Sequence, residues 1–148
     1  MMADKSLEMH GPLHHHRCRV IYGDTDSGGV VYYANYLRYF EAARTEFMRE
    51  RVLSYKEIEQ QGLIMPVVEC HLRYKASAHY DDLLLIETSL LEVKSRTCRF
   101  NYRITRENDG KVLVLGYTTH AVVDINGRLT KFPSVVLDVL QEQSADQS

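Results

Sequence analysis

The sequence predicts an α+β fold in which a curved antiparallel sheet wraps around one long helix. Three observations carry this. Tyr36, Phe40, Ala43 and Phe47 fall at i, i+4, i+7 and i+11, one stripe of a helix. Strand-like stretches lie before and after it, and alternation is clearest in Cys98, Phe100, Tyr102 and Ile104. The turns N-D-G at 108–110 and Asn126-Gly127 are hairpin signals, so consecutive strands run antiparallel. A sheet with one apolar face and a mostly buried helix must pack on each other.

The elements follow in order. Residues 15–22, H-H-R-C-R-V-I-Y, read as the first strand, and 23–29 as a loop. His14, His15 and His16 read as an exposed lead-in, because no Cys or further His stands at ligand spacing. The helix is expected over 33–51, with Arg38, Glu41, Arg44, Glu46 and Arg49 interleaved. Ser54 then caps a short helix, with Glu57 three residues on, and Gly62 ends it. Four further strands are expected at 65–76, 82–93, 96–107 and 111–125, giving a five-stranded sheet. Pro133 suits the first turn of a final helix carrying Val135, Val136, Leu137, Val139 and Leu140.

A chain of 148 residues suits one domain, here 14–141, large enough to hold a core without staples. Residues 1–13 and 142–148 read as disordered or flexible tails. A net charge of −2 gives no reason to expect nucleic acid. No apolar run approaches the ~20 residues of a membrane span, and the N-terminal residues lack an apolar signal core. Cys18, Cys70 and Cys98 are odd in number and widely spaced, as expected for reduced thiols in a cytoplasmic protein. No metal site or cofactor is implied.

Asp24 and Asp26 stand in the loop before the helix, and four readings compete for them. An EF-hand loop from Asp24 would need an oxygen ligand at position 5 and Glu at position 12, where Gly28 and Asn35 stand. An aspartyl-phosphate loop belongs at the end of a parallel sheet, and this order is antiparallel. The two acids could also simply cap the turn and the helix. In the fourth reading, open N–H groups at the helix start polarise a carbonyl while a nearby carboxylate attacks it or activates water. No G-x-S-x-G motif or triad accompanies them. A thioester, with its already reactive carbonyl, would not need one.

The stretch Y-G-D-T-D-S-G-G-V-V-Y-Y-A-N-Y with L-R-Y-F-E-A-A-R-T-E after it resembles the signature of the hotdog-fold acyl-CoA thioesterases. It is similar to the 4-hydroxybenzoyl-CoA thioesterase branch, including the Tol–Pal-associated enzymes. A second block, A-H-Y-D-D-L-L-L-I-E-T at 78–88, also matches, and the resemblance spans roughly 17–140. It implies hydrolysis of an acyl-CoA to free acid and coenzyme A, with coenzyme A a part of the substrate. It assigns the catalytic carboxylate, nucleophile or general base, to Asp26 and the polarising backbone N–H to Tyr33. Gly29 would let the backbone approach the ligand, and Lys94 and Arg96 would meet phosphates. Active sites at a dimer interface, usually in a homotetramer, are implied too.

Many bacterial relatives carry histidine where Tyr33 stands. A backbone role survives that change and an imidazole acid–base role does not; the tyrosine also points to an aromatic acyl group. Tyr80, Asp81 and Asp82 are expected to pin a strand start, and Glu69 or His71 is a candidate to face the pocket. The alternative function is a non-catalytic acyl-CoA-binding module, or an interaction protein in a partner assembly; retention of Asp26 favours the enzyme.

Overall fold

The structure, a computed structural model, describes residues 4–146. Strand β1 is His14–Arg19, and helix α1 is Tyr36–Arg51, entered through a 3-10 turn at Tyr33–Asn35. A short helix α2, Tyr55–Gln60, follows, then strands β2 (Leu63–Ile64), β3 (Val67–Tyr74), β4 (Leu83–Leu91), β5 (Thr97–Arg106), β6 (Val112–Ala121) and β7 (Val123–Asp124). Helix α3, Ser134–Gln143, closes the order. The main sheet has five strands in the order β1-β4-β5-β6-β3, all pairs antiparallel, as expected from the hairpin signals. The strand expected over 111–125 divides into β6 and β7, and β7 pairs with β2 in a separate two-stranded sheet.

Strand alternation gives the sheet two faces. Cys98, Phe100, Tyr102 and Ile104 are fully buried against α1, whose Phe40, Ala43 and Phe47 are also inaccessible to solvent. Phe40 stacks on Tyr102 with ring centroids 4.1 Å apart, and Phe47 meets Phe100 edge-on at 5.6 Å. Gly116 makes this closeness possible. A Cβ there would lie 2.5 Å from the His71 carbonyl and 2.8 Å from the Phe40 ring. Ser54 caps α2 as expected, its Oγ accepting from the Glu57 N–H at 3.1 Å.

Three differences from the sequence reading have physical causes. Residues 4–13, expected to be a loose tail, lie across the outer face of the sheet with Leu7 buried. Their carbonyls make the contacts: Asn101 Nδ2 donates to the Ser6 and Glu8 oxygens at 2.9 and 3.0 Å, and Ser89 Oγ donates to the His10 oxygen. Backbone acceptors leave no trace in a side-chain pattern. Residues 144–146, expected in the C-terminal tail, are also held. The Asp146 carboxylate accepts from the Glu92 and Val93 N–H groups, both at 3.0 Å, and Ala145 N–H donates to the Leu90 oxygen at 2.7 Å. The outermost parts of both expected tails, 1–3 and 147–148, lie outside the described residues. His14, expected in an exposed lead-in, begins β1 and is buried; its ring packs on Phe47 and pairs with Glu50 at 2.7 Å.

A polar chain threads the core. Arg44 donates to the Tyr55 and Tyr102 hydroxyls at 3.0 and 3.2 Å, Tyr102 bonds Thr118 at 2.6 Å, and Thr118 bonds His120 at 2.9 Å. Burial, then the nearby Arg44 charge, push the His120 pKa down to about 4. The folded protein therefore binds this proton less readily than the unfolded chain. Stability from this group is complete above pH ~6.5 and is lost as pH falls towards 4, by about 3 kcal/mol. His120→Gln is expected to remove that part of the acid dependence; urea melts of both proteins from pH 7 to 4 check it.

Candidate active site

The loop between β1 and α1 is built around Asp24. Its side chain is buried, and Oδ2 accepts from the Tyr39 hydroxyl at 2.8 Å and the Ile21 N–H at 3.2 Å. Its carbonyl accepts from the Tyr32 N–H and from Asn35 Nδ2, both at 2.9 Å. Arg38 Nη1 stands 3.8 Å from Oδ1. Asp24 thus ties the loop to the first turns of the helix. Burial and the Asp24 charge together push the Tyr39 hydroxyl far above its ordinary range and the Cys18 thiol up to about 11, so both stay protonated at neutral pH.

Asp26 is exposed and differently held. Its N–H donates to the Val30 oxygen at 2.8 Å, and Oδ1 accepts from the Gly28 N–H at 2.8 Å; Oδ2 makes no hydrogen bond among the described residues. Gly28 and Gly29 serve this turn in different ways. A Cβ on Gly28 would crowd Asp26 Oδ1 at 3.2 Å, whereas Gly29 has φ +82°, the left-handed region that glycine adopts freely. The loop is fixed from outside by Val31 N–H, which donates to the Ala78 oxygen at 2.9 Å.

Asp26 lines a cavity of about 380 Å³ with Tyr33, Tyr36, Tyr74, Val30 and Lys75 among its walls. The Tyr33 N–H has no hydrogen-bond partner among the described residues, as expected at a helix start. The Tyr33 carbonyl is fixed by the Tyr74 hydroxyl at 2.9 Å, and Tyr36 Oη accepts from the Ala78 N–H at 3.0 Å. Burial raises the pKa of both Tyr36 and Tyr74, so these two walls are neutral phenols.

The cavity therefore unites Asp26 with Tyr33, beside the turn that Gly29 makes. Within one chain it does not include Lys94 or Arg96. Their turn follows β4, whereas Ala78 and the Asp26 loop lie before it; the strand between spans about 27 Å. That turn is closed by Lys94 N–H on the Thr97 oxygen at 2.8 Å, and Phe132 N–H bonds the Ser95 oxygen at 2.9 Å. Glu69 and His71 both face away from the cavity: Glu69 accepts from the Tyr117 hydroxyl at 2.8 Å, and the His71 ring stacks on Tyr117 at 5.6 Å. Asp82 pins a strand start as expected, accepting from the His79 N–H at 2.9 Å and Arg106 Nε at 3.1 Å. Sequence reasoning missed Tyr36, Tyr74 and Lys75 as cavity walls; an aromatic or basic residue on a strand does not announce which cavity its edge borders.

A five-stranded antiparallel sheet around a long helix, with a carboxylate loop at the helix start, is the hotdog arrangement of thioesterases. The chain belongs to the thioesterase-like superfamily, whose family model matches residues 20–140. It is 45% identical over 89 residues to the acyl-CoA thioesterase YbgC of Haemophilus influenzae, covering 60% of this chain and 65% of that protein. It is 36% identical over 102 residues to the acyl-CoA thioester hydrolase YbgC of Escherichia coli O6:H1, covering 66% of this chain and 76% of the relative. Among solved structures, a hypothetical protein of Thermus thermophilus superposes with a TM-score of 0.83 at 34% identity, covering 88% of this chain and 97% of that one.

The two acids differ in what their loss should do to the fold. Asp24→Asn replaces a buried acceptor of two hydrogen bonds, and is expected to cost about 1–3 kcal/mol. Asp26→Asn is exposed and should change stability by about 0.5 kcal/mol or less. Denaturant melts of both variants at neutral pH read the contrast.

Proposed function

We propose that this protein hydrolyses acyl-CoA thioesters to a free acid and coenzyme A, with Asp26 as the reacting carboxylate. One observation carries the reading: Asp26, whose Oδ2 is unbonded, and Tyr33, whose N–H is open among the described residues, line the same cavity. A thioester carbonyl accepting from that N–H, at the positive end of α1, is polarised, and the oxyanion that forms on attack is stabilised. Asp26 then acts in one of two ways. As general base it takes a proton from water, whose oxygen attacks the carbonyl carbon. As nucleophile it forms an acyl–carboxylate anhydride that water hydrolyses. In both, the C–S bond breaks and the coenzyme A thiolate leaves and is protonated. The tyrosine and valine walls suit an apolar or aromatic acyl group, and the YbgC relatives' names support acyl-CoA as the substrate class.

Asp26→Asn keeps the side chain's shape and its Gly28 contact. It is expected to lower kcat for thiol release about 10²–10⁴-fold with KM nearly unchanged. Wild type that binds acyl-CoA without releasing thiol would instead identify a binding module.

The protein is further proposed to act as a dimer or tetramer. Strand β3 is an edge of the main sheet. Val68 is 60% exposed, Tyr74 48% and Tyr33 62%, an apolar stretch beside unpaired strand edge. Lys94 and Arg96 could serve this cavity only from a second chain. Light scattering at micromolar concentration is expected to give at least twice the 17.1 kDa chain mass; a monomer would overturn both the assembly and a phosphate role for Lys94 and Arg96.

A further inference from the structure

Tyr33 belongs to two peptide units, and each is held by its carbonyl. The unit joining Tyr32 to Tyr33 is trans, so its C=O and N–H point in opposite directions. Its carbonyl accepts from the Asn35 N–H at 2.8 Å, which sets the axis of the Tyr33 N–H. The unit joining Tyr33 to Ala34 has its carbonyl bonded by the Tyr74 hydroxyl at 2.9 Å. With both planes held, the two backbone torsions of Tyr33 that lie between them are held as well.

The Asn35 bond is internal to the turn and moves with it. The Tyr74 bond comes from a different element, 41 residues away in sequence. Tyr74 pairs in register with Val114 of β6, and the next two N–H groups, of Lys75 and Ala76, both donate to the Leu113 oxygen. The Tyr74 ring also meets the Tyr33 and Tyr36 rings edge-on, at 6.5 and 5.6 Å. Burial holds its phenol above the ordinary range, so it stays a donor at neutral pH. Ala78 ties down Val31 and Tyr36, on either side of Tyr33. From the main sheet, Tyr74 alone reaches Tyr33 among the described residues. Lys75 borders the same cavity, and also an outer cleft of about 520 Å³ walled by Leu7 and Met9, but its side chain bonds nothing among the described residues.

We propose that Tyr74 is a positioning residue for thioester hydrolysis: its hydroxyl holds the Tyr33 carbonyl so that the Tyr33 N–H keeps its aim at the developing oxyanion. The proposal rests on the acyl-CoA reading above. An oxyanion donor works only when it already points at the place where charge appears. In Tyr74→Phe water can bond the freed carbonyl, but water is not anchored to the sheet. What is lost is position rather than a hydrogen bond, and a small misplacement of a donor is costly in rate.

The test is a double-mutant cycle on thiol release from an acyl-CoA. Tyr74→Phe is expected to lower kcat about tenfold or more with KM and the urea midpoint nearly unchanged. Tyr33→Pro deletes the N–H itself. Tyr32, at φ −60° and ψ 131°, already has the conformation that a residue before proline adopts, and proline suits the first position of a helical turn. In the Tyr33→Pro background Tyr74→Phe should cost nothing more. In Tyr33→Ala, which keeps the N–H and drops the ring, it should cost the same tenfold. An equal loss in the proline background overturns the proposal, because Tyr74 then acts on the substrate directly. A rise in KM at constant kcat overturns it too. Amide relaxation by NMR supplies a readout that needs no substrate: Tyr74→Phe should lower the Tyr33 order parameter from about 0.85 towards 0.6 and leave that of Asp26 unchanged. An unchanged Tyr33 value overturns the proposal. Should wild type release no thiol from any acyl-CoA, the hydrolase reading fails, and the order parameter alone decides whether Tyr74 holds Tyr33.

Discussion

The buried carboxylate of Asp24 is the constraint on which the site depends. A charged group out of water has to be met by hydrogen bonds, and here a tyrosine hydroxyl from α1 and a backbone N–H from the end of β1 meet it. Its own carbonyl meanwhile takes Tyr32 and Asn35. One residue thus joins strand, loop and helix start. Asp26, two residues on, adds its own bonds to Val30 and Gly28, while the Tyr33 N–H stays open among the described residues. The two acids, with one residue between them, are therefore held differently: Asp24 is buried and satisfied, whereas Asp26 is exposed and its Oδ2 has no partner among the described residues.

The loop could not be positioned if the helix were not. Phe40 lies flat on Tyr102, which demands that α1 come close to β5 and β6, and only an absent side chain at Gly116 leaves room. Tyr102 in turn gives its hydroxyl to the Arg44–Thr118 chain, so the same ring serves packing on one side and polar satisfaction on the other. Among the described residues Arg44 has no carboxylate partner; it is held by two phenols. Such a network leaves little choice of helix register, because any slip strands the half-buried Arg44 cation and the buried Tyr102 hydroxyl.

Much of this was legible in the sequence because two periods differ. Helical spacing in Tyr36, Phe40, Ala43 and Phe47, and alternation in Cys98 to Ile104, gave the layers, and the glycine turns gave the strand directions. The carboxylate loop was legible through its resemblance to the thioesterases, which singled out Asp26 over Asp24; the residues alone left both acids open. What escaped reading was contact made by backbone or by absence. Residues 4–13 dock through carbonyl oxygens, and Gly116 acts by lacking a Cβ. Lys94 and Arg96 stand at the opposite end of β4 from the Asp26 loop, and the resemblance that pairs them with the substrate carries no distance within one chain.

Edge strand β3 explains why one short segment can serve two cavities. In the middle of a sheet, alternate residues are separated by a continuous layer of backbone, and a ligand on one face never meets the other. At an edge the layer ends. Tyr74 turns inward to fix the Tyr33 carbonyl at 2.9 Å, while Lys75, one residue later, borders both the inner cavity and the outer cleft. The strand ends there, with Lys75 and Ala76 N–H groups both donating to the Leu113 oxygen. That end of the strand makes the position sensitive to charge, since a cation there is felt by whatever anion lies on either side.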